Sequence, residues 1–231
     1  MALGVARTLY RKLSHYEIHF FDLSRLSPNV DIVSLKHTYE PHKNAASVRR
    51  IKTMVVDLTK SESEIRARFS KTTRNEISRA ERDGVGFFAG GKEELDRFLS
   101  AFRGLQERKG IAAYPKSWYL LNDIVITGTE ESCHLYIVRN GIALLLHSVS
   151  HASKANRLNH WWDIQLFKDR GLQLLDFGGW AANEAEEEKP ELKAIADFKA
   201  GFGPEIRPAY YQLIPVSSIG RLTLRIRNLQ A

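Results

Sequence analysis

Lys199 stands in the run FKAGFG (198–203), at the end of a helical pattern that Pro190 opens at a favourable first-turn position. It follows Ile195 by four residues and Leu192 by seven, so it lies on their apolar stripe and not on the opposite face. A cation placed there either snorkels along its aliphatic stem near a helix C-terminus or projects into a ligand cleft, where it holds a phosphate or a developing oxyanion. Asp176, in LDFGGW (175–180), ends a hydrophobic strand and precedes two glycines, Gly178 and Gly179, that let a ligand or a neighbouring chain approach the backbone. It is a candidate acid/base or ligand anchor; a strand-ending Asp that caps its own turn reads the same way. In TTRNEISRAERDGV (72–85) the bases Arg74, Arg79 and Arg82 form either a solvated helix face with Glu76 and Glu81 nearby or a phosphate-binding ridge suited to the guanidinium fork. His147 and His151 share a strand face without a carboxylate or cysteine at metal-ligand spacing, so no metal site is expected. Cys133 and His134 point to opposite faces of a strand, and Trp161 and Trp162 read as core.

The elements that carry these groups follow from periodicity and punctuation. Ser61 with Glu64 forms a capping box that opens a helix running to Gly84, with Ile65, Phe69, Thr73, Ile77 and Ala80 on one stripe and Arg68, Lys71, Arg74, Arg79 and Arg82 opposite. Further helices are expected over 93–109, after Pro115, over 157–170 and over 190–200. Strands are expected over 17–22, 51–58, 85–89, 172–177 and 207–215, and a hairpin joins 134–138 to 142–151 through Asn140-Gly141. Strands alternating with helices call for crossovers, hence an α/β fold: one mixed sheet flanked by helices on both faces. The division expected is a basic N-terminal extension over 1–50, packing on a domain over 51–231.

The 231 residues, 43% of them hydrophobic and 26% charged, exclude a disordered tail, a collagen-like rod and a disulfide miniprotein. The net charge of +7 is lopsided: residues 1–82 hold 16 basic and 9 acidic groups, and the rest hold 18 of each. Such asymmetry suits an anionic partner, whether nucleic acid, phosphorylated substrate or membrane surface. A single cysteine and no apolar run near the roughly 20 residues of a membrane span point to a soluble cytoplasmic protein.

Taken in order, TTRNEISRAERDGV, HWWDIQLFKDRG (160–171), LDFGGW and FKAGFG followed by Tyr210 and Tyr211 resemble the FemABX-related (FemAB-like) branch of the GNAT acyltransferase superfamily, over about residues 55 to 212. The resemblance implies a single GNAT-like sheet splayed around a cleft for an acyl donor, and an enzyme that transfers an acyl or aminoacyl group to an amine. It places Lys199 beside the transferred acyl group, matches Asp176, Gly178 and Gly179 to the strand-end motif, and offers Tyr210 or Tyr211 to the substrate, with Tyr211 protonating the leaving group. Arg74, Arg79 and Trp180 are the further substrate-binding candidates. No tightly bound cofactor is implied: the donor is a co-substrate, either acyl-CoA or another acyl thioester, or aminoacyl-tRNA. The loop SHASKANR (150–157) lacks the glycines of the usual GNAT pyrophosphate loop, leaving helix N-terminal amides with Lys154 or Arg157 to hold phosphate. Fem enzymes resemble two such domains in tandem, whereas this chain has room for one plus its extension, so a paired-domain cleft would need a homodimer. The other class of function open to the sequence is a catalytically inactive GNAT-like module that binds RNA or an anionic surface through its basic N-terminal third.

Overall fold

The computed structural model describes residues 15–19, 30–110, 114–151, 153–179 and 190–228. The chain divides into two compact units, one of Met1–Ile51, Tyr114–Asn122 and Pro208–Ala231, the other of Lys52–Ala113 and Asp123–Arg207.

The larger unit holds the motifs. Its strands are β3 (Ser47–Asp57, from Lys52 on), β4 (Phe88–Gly90), β5 (Ile124–Gly128), β6 (Ser132–Arg139), β7 (Ile142–Ser150) and β8 (Leu174–Gly179), lying side by side in the order β3-β8-β7-β6-β5-β4. Every pairing is antiparallel except β7 with β8, which is parallel. The expected Asn-Gly hairpin joins β6 to β7, with φ of 51° at Asn140 and 74° at Gly141, as a turn of type I′ requires. Helices α3 (Leu95–Lys109) and α5 (Ser153–Asp169) follow, and α6 (Pro190–Ala200) ends at the FKAGFG motif. Phe98 and Phe102 of α3 meet His147 of β7, while Trp161, Ile164 and Phe167 of α5 share the main core with Tyr136, Leu145 and Phe177. The expected mixed sheet with helices on both faces is thus present.

The helix expected from Ser61 to Gly84 is two helices, α1 (Glu62–Ala67) and α2 (Lys71–Arg82). The break falls at Ser70, whose extended backbone and hydroxyl, accepting from the Thr73 amide at 3.1 Å, begin a second helix. The capping box at Ser61 and Glu64 is present. The predicted stripe survives the break, because Ile65, Phe69, Thr73, Ile77 and Ala80 are all buried.

The smaller unit is built on β1 (His15–His19), β2 (Ile32–Thr38) and the Pro208–Pro215 part of β9 (Glu205–Pro215), with β1 and β2 parallel and β2 and β9 antiparallel. Val30, Val33, Leu35 and Ile214 form its core. It also contains α4 (Lys116–Leu121), the helix expected after Pro115, and α7 (Ser218–Asn228). Of the strand expected over 17–22, residues 20–22 lie outside the described residues; β2, β5 and α7 have no counterpart in the sequence-based expectations. No helix among the described residues is long and apolar enough to cross a membrane.

Candidate active site

Two irregularities open the sheet of the larger unit at one level. Leu135 pairs with His147 but Tyr136 with Leu145, so Leu146 is an extra residue in β7, a β-bulge. The bulge switches which face the strand presents: Leu145 packs in the α5 core, whereas two residues on His147 meets the rings of α3. The parallel ladder of β7 and β8 runs only from Ile142↔Leu174 to Leu144↔Asp176, stopping at the bulge. Next along β8, Gly178 has φ of +79°, and a Cβ there would come within 3.1 Å of the Leu145 carbonyl oxygen. Glycine is the residue that fits both demands.

Asp176, at the point where the ladder ends, is fully buried. Its Oδ1 accepts from Thr53 Oγ1 at 2.5 Å and from the Gly178 amide at 2.7 Å. The carboxylate therefore fixes the irregular end of β8 as well as placing a negative charge there. Lys199 comes to it from the last turn of α6. Its ammonium makes no hydrogen bond or ion pair with any described residue. Desolvation pushes its pKa down to about 8, and the Asp176 charge acts against that fall.

The FKAGFG motif holds this turn against the α1–α2 junction. The Ser70 amide donates to the Gly201 carbonyl at 2.8 Å, and a Cβ on Gly201 would fall 2.6 Å from Thr73 Oγ1 and 2.8 Å from Arg157 Nη1. Gly203, with φ of +61°, lies against the Arg68 backbone so closely that a side chain has no room. Phe202 is buried edge-on to Phe69 and packs with Phe177, Phe198 and His160. Burial first, and then the neighbouring His134, Lys199 and Arg157, push the His160 pKa well below its ordinary value.

The other expected site residues have the following places. Arg157 reaches Glu76 Oε2 through Nε at 2.7 Å and Thr73 Oγ1 through Nη1 at 2.7 Å, and lies over the Phe198 ring at 4.4 Å, so its guanidinium joins α5 to α2 and α6. Lys154 pairs with Asp83 at 2.6 Å on the surface. Arg74 is exposed yet donates to the Phe69 and Ala67 carbonyls, closing the C-terminal end of α1, and Arg79 is exposed on α2. Gly179 pairs with Thr53 across β8 and β3. Trp180 lies outside the described residues. Tyr210 and Tyr211 belong to the smaller unit, where the Tyr210 carbonyl accepts from Thr38 Oγ1 at 3.4 Å and Arg49 stands 5.2 Å over the Tyr211 ring. Cys133 forms no dyad with His134, and burial pushes its thiol up to about 12. Thr53 and His160 are the residues of this site that sequence reasoning missed; neither sits in a signature of its own.

A buried polar network lies between β6 and α5. Asp163 Oδ2 accepts from Tyr136 OH at 2.6 Å and lies 2.6 Å from His134 Nδ1, while His134 Nε2 is 2.7 Å from Asn156 Oδ1. His160 stacks on His134 with ring centroids 4.1 Å apart. Burial, with Asp163 alongside, raises the Tyr136 hydroxyl well above its ordinary range.

No protein-family model matches this chain, and no curated protein does. Among solved structures it is similar to FemX, with a TM-score of 0.65 and 10% identity over 95% of this chain and 85% of that one. It is also similar to the C-terminal domain (DUF2156) of a putative lysylphosphatidylglycerol synthetase from Agrobacterium fabrum, with a TM-score of 0.57 and 14% identity over 91% and 81% of the two chains. L-PGS from Bacillus licheniformis gives 0.54 and 14% over 84% and 72%. The fold is therefore a FemX-like mixed α/β sheet flanked by helices, in line with the fold expected from the ordered motifs.

Proposed function

We propose that the protein is an N-acyltransferase, moving an acyl or aminoacyl group from an activated ester or thioester to an amine. The observation that carries this reading is Lys199: an ammonium with no hydrogen-bond or ion-pair partner among the described residues, whose charged form is supported by the buried Asp176 carboxylate at the point where β7 and β8 part. In the reaction the acceptor nitrogen attacks the donor carbonyl carbon and the carbonyl electron pair moves to oxygen. Lys199 stabilises that oxyanion by charge and hydrogen bonding. Collapse of the intermediate re-forms the carbonyl and expels the donor's oxygen or sulfur, which takes up the proton that the amine loses. The Asp176 charge favours the protonated form of Lys199. The route needs no enzyme nucleophile, and its donor is an acyl thioester or an aminoacyl-tRNA.

The test has two stages. Coenzyme A, acyl-coenzyme A and charged tRNA are titrated against the protein while its melting temperature is followed, since a ligand of the native state raises it by mass action. Turnover is then measured with the donor that binds, for wild type and Lys199→Met. A loss on the order of 100-fold in kcat, with the melting temperature unchanged or higher, is the expected result. Unchanged turnover would remove Lys199 from the mechanism. Three donors without effect, together with salt-sensitive RNA binding that weakens on neutralising Arg68, Arg74 and Arg82, would replace the enzyme by an inactive binding module.

A further inference from the structure

Five buried side-chain atoms among the described residues lack a hydrogen-bond partner, and Asn159 Oδ1, His160 Nδ1 and Asp163 Oδ1 come from little more than one turn of α5. Native proteins leave few such atoms, and a group of them marks a place for an ordered water or an ion. The atoms around them decide which. Asp163 Oδ2 has His134 Nδ1 at 2.6 Å, Tyr136 OH at 2.6 Å and His160 Nδ1 at 3.8 Å, and one ligand atom from each of His134, His160 and Asp163 lies within 4.8 Å of the others. Two imidazoles and a carboxylate, all enclosed, are donors of the kind that zinc takes, and the Tyr136 phenol beside Asp163 offers a fourth oxygen.

We propose that His134, His160, Asp163 and Tyr136 form a binding site for one zinc-class divalent cation that clasps α5 to β6. With bonds of about 2.0–2.1 Å, tetrahedral donor atoms stand about 3.3 Å apart. From Asp163 Oδ2 the separations, 2.6 Å to His134 Nδ1 and 3.8 Å to His160 Nδ1, straddle that value, so coordination opens the first contact and closes the second. The second layer is already arranged for it. Asn156 Oδ1 takes the Ser132 hydroxyl at 2.9 Å and faces His134 Nε2, so Nε2 carries a proton and Nδ1 is the nitrogen turned to Asp163. That outer hydrogen bond is the one that fixes a metal-ligating imidazole. The exchange balances: one cation enters, and two protons leave, the one shared between His134 Nδ1 and Asp163 Oδ2 and the one on the Tyr136 hydroxyl. Two neutral imidazoles, a carboxylate and a phenolate around a divalent ion leave no net charge in a fully enclosed space. Behind the site the His160 ring packs on Phe177, Phe198 and Phe202, the aromatic group that carries Lys199, and the inference stands whether or not acyl transfer is the reaction.

The full chain is unfolded and refolded with zinc ions or with a chelator, freed of loose metal by gel filtration, and its metal content measured. The expected result is about one ion per chain, a higher melting temperature for the zinc-refolded protein, and a tetrahedral ligand-field spectrum when cobalt(II) replaces zinc. His160→Gln and Asp163→Asn should remove the ion and the spectrum. If those variants fail to fold, the wild-type metal content and cobalt spectrum decide alone. Folded wild type holding fewer than about 0.1 ion per chain after zinc refolding, with no cobalt spectrum, would overturn the site and assign these atoms to an ordered water.

Discussion

At the scale of single residues, the titration of Lys199, whose charged form Asp176 supports, should be readable in the proposed reaction. In the proposed reaction Lys199 would serve the oxyanion only while protonated, and burial lowers its pKa from 10.5 to about 8. Activity on an identified substrate should therefore fall as pH rises through about 8, on top of whatever rise the acceptor amine gives at lower pH. Lys199→Arg keeps the charge at every pH used and should abolish the alkaline limb, even if misplacement lowers the plateau. Asp176→Asn keeps an oxygen for Thr53 and the Gly178 amide but removes the charge that supports Lys199, so the limb should move to lower pH while stability changes little. A pH profile of kcat/KM for the three proteins checks this, and an identical limb in all of them would mean that another group titrates. Sequence alone showed each partner of this pair as a candidate, from Lys199 on an apolar stripe and Asp176 at a strand end. It gave no sign of their juxtaposition, because that depends on the crossover of β8 and on the turn after α6. The His160-x-x-Asp163 spacing was open to inspection too, but its meaning waits on His134, 26 residues earlier on β6.

At the scale of elements, legibility followed turn signals and helical periodicity. The hairpin is marked by its Asn140-Gly141 turn, and α2 by a buried stripe of Thr73, Ile77 and Ala80 against a basic exposed face, whereas Ile195, on the stripe expected of α6, is exposed. β5, buried at all five positions, and β2, buried at all but one, carry no period-two signal and have no counterpart among the expected strands. The α1–α2 break was hidden because its two sides keep a common apolar stripe, so Ser70 looked like a polar position inside one helix. That junction is where the FKAGFG glycines press, which gives a prediction about stability. Gly203→Ala forces a Cβ into the Arg68 backbone at a left-handed φ and should cost about 2–4 kcal/mol. Ser70→Ala removes a cap from an exposed position and should cost about 1 kcal/mol. Urea unfolding of the two variants distinguishes a tight backbone approach from an ordinary helix start; equal losses would show that Gly203 serves only as a turn residue.

At the scale of the whole molecule, the charge asymmetry and the chemistry occupy different ground. The basic excess lies in residues 1–82, yet Arg68 pairs with Glu205, Arg74 closes α1 and Arg157 is bound to Glu76, so much of the positive charge near the motifs has internal work. What charges instead under acid is a neutral interior. His147, enclosed by Phe98 and Phe102, has its pKa lowered by burial to about 4 from 6.5. The unfolded chain binds this proton below pH 6.5 and the folded chain only near pH 4, so the unfolded state holds more protons throughout that interval. The contribution of a neutral His147 is thus complete above pH 6.5 and is lost as pH falls from 6.5 towards 4. Replacing it by Leu removes the titration and retains an apolar contact for the two rings. His147→Leu should therefore lose less stability than wild type between pH 6.5 and pH 4, as urea unfolding at a series of pH values would record. Parallel curves for the two proteins would locate the acid sensitivity in other groups.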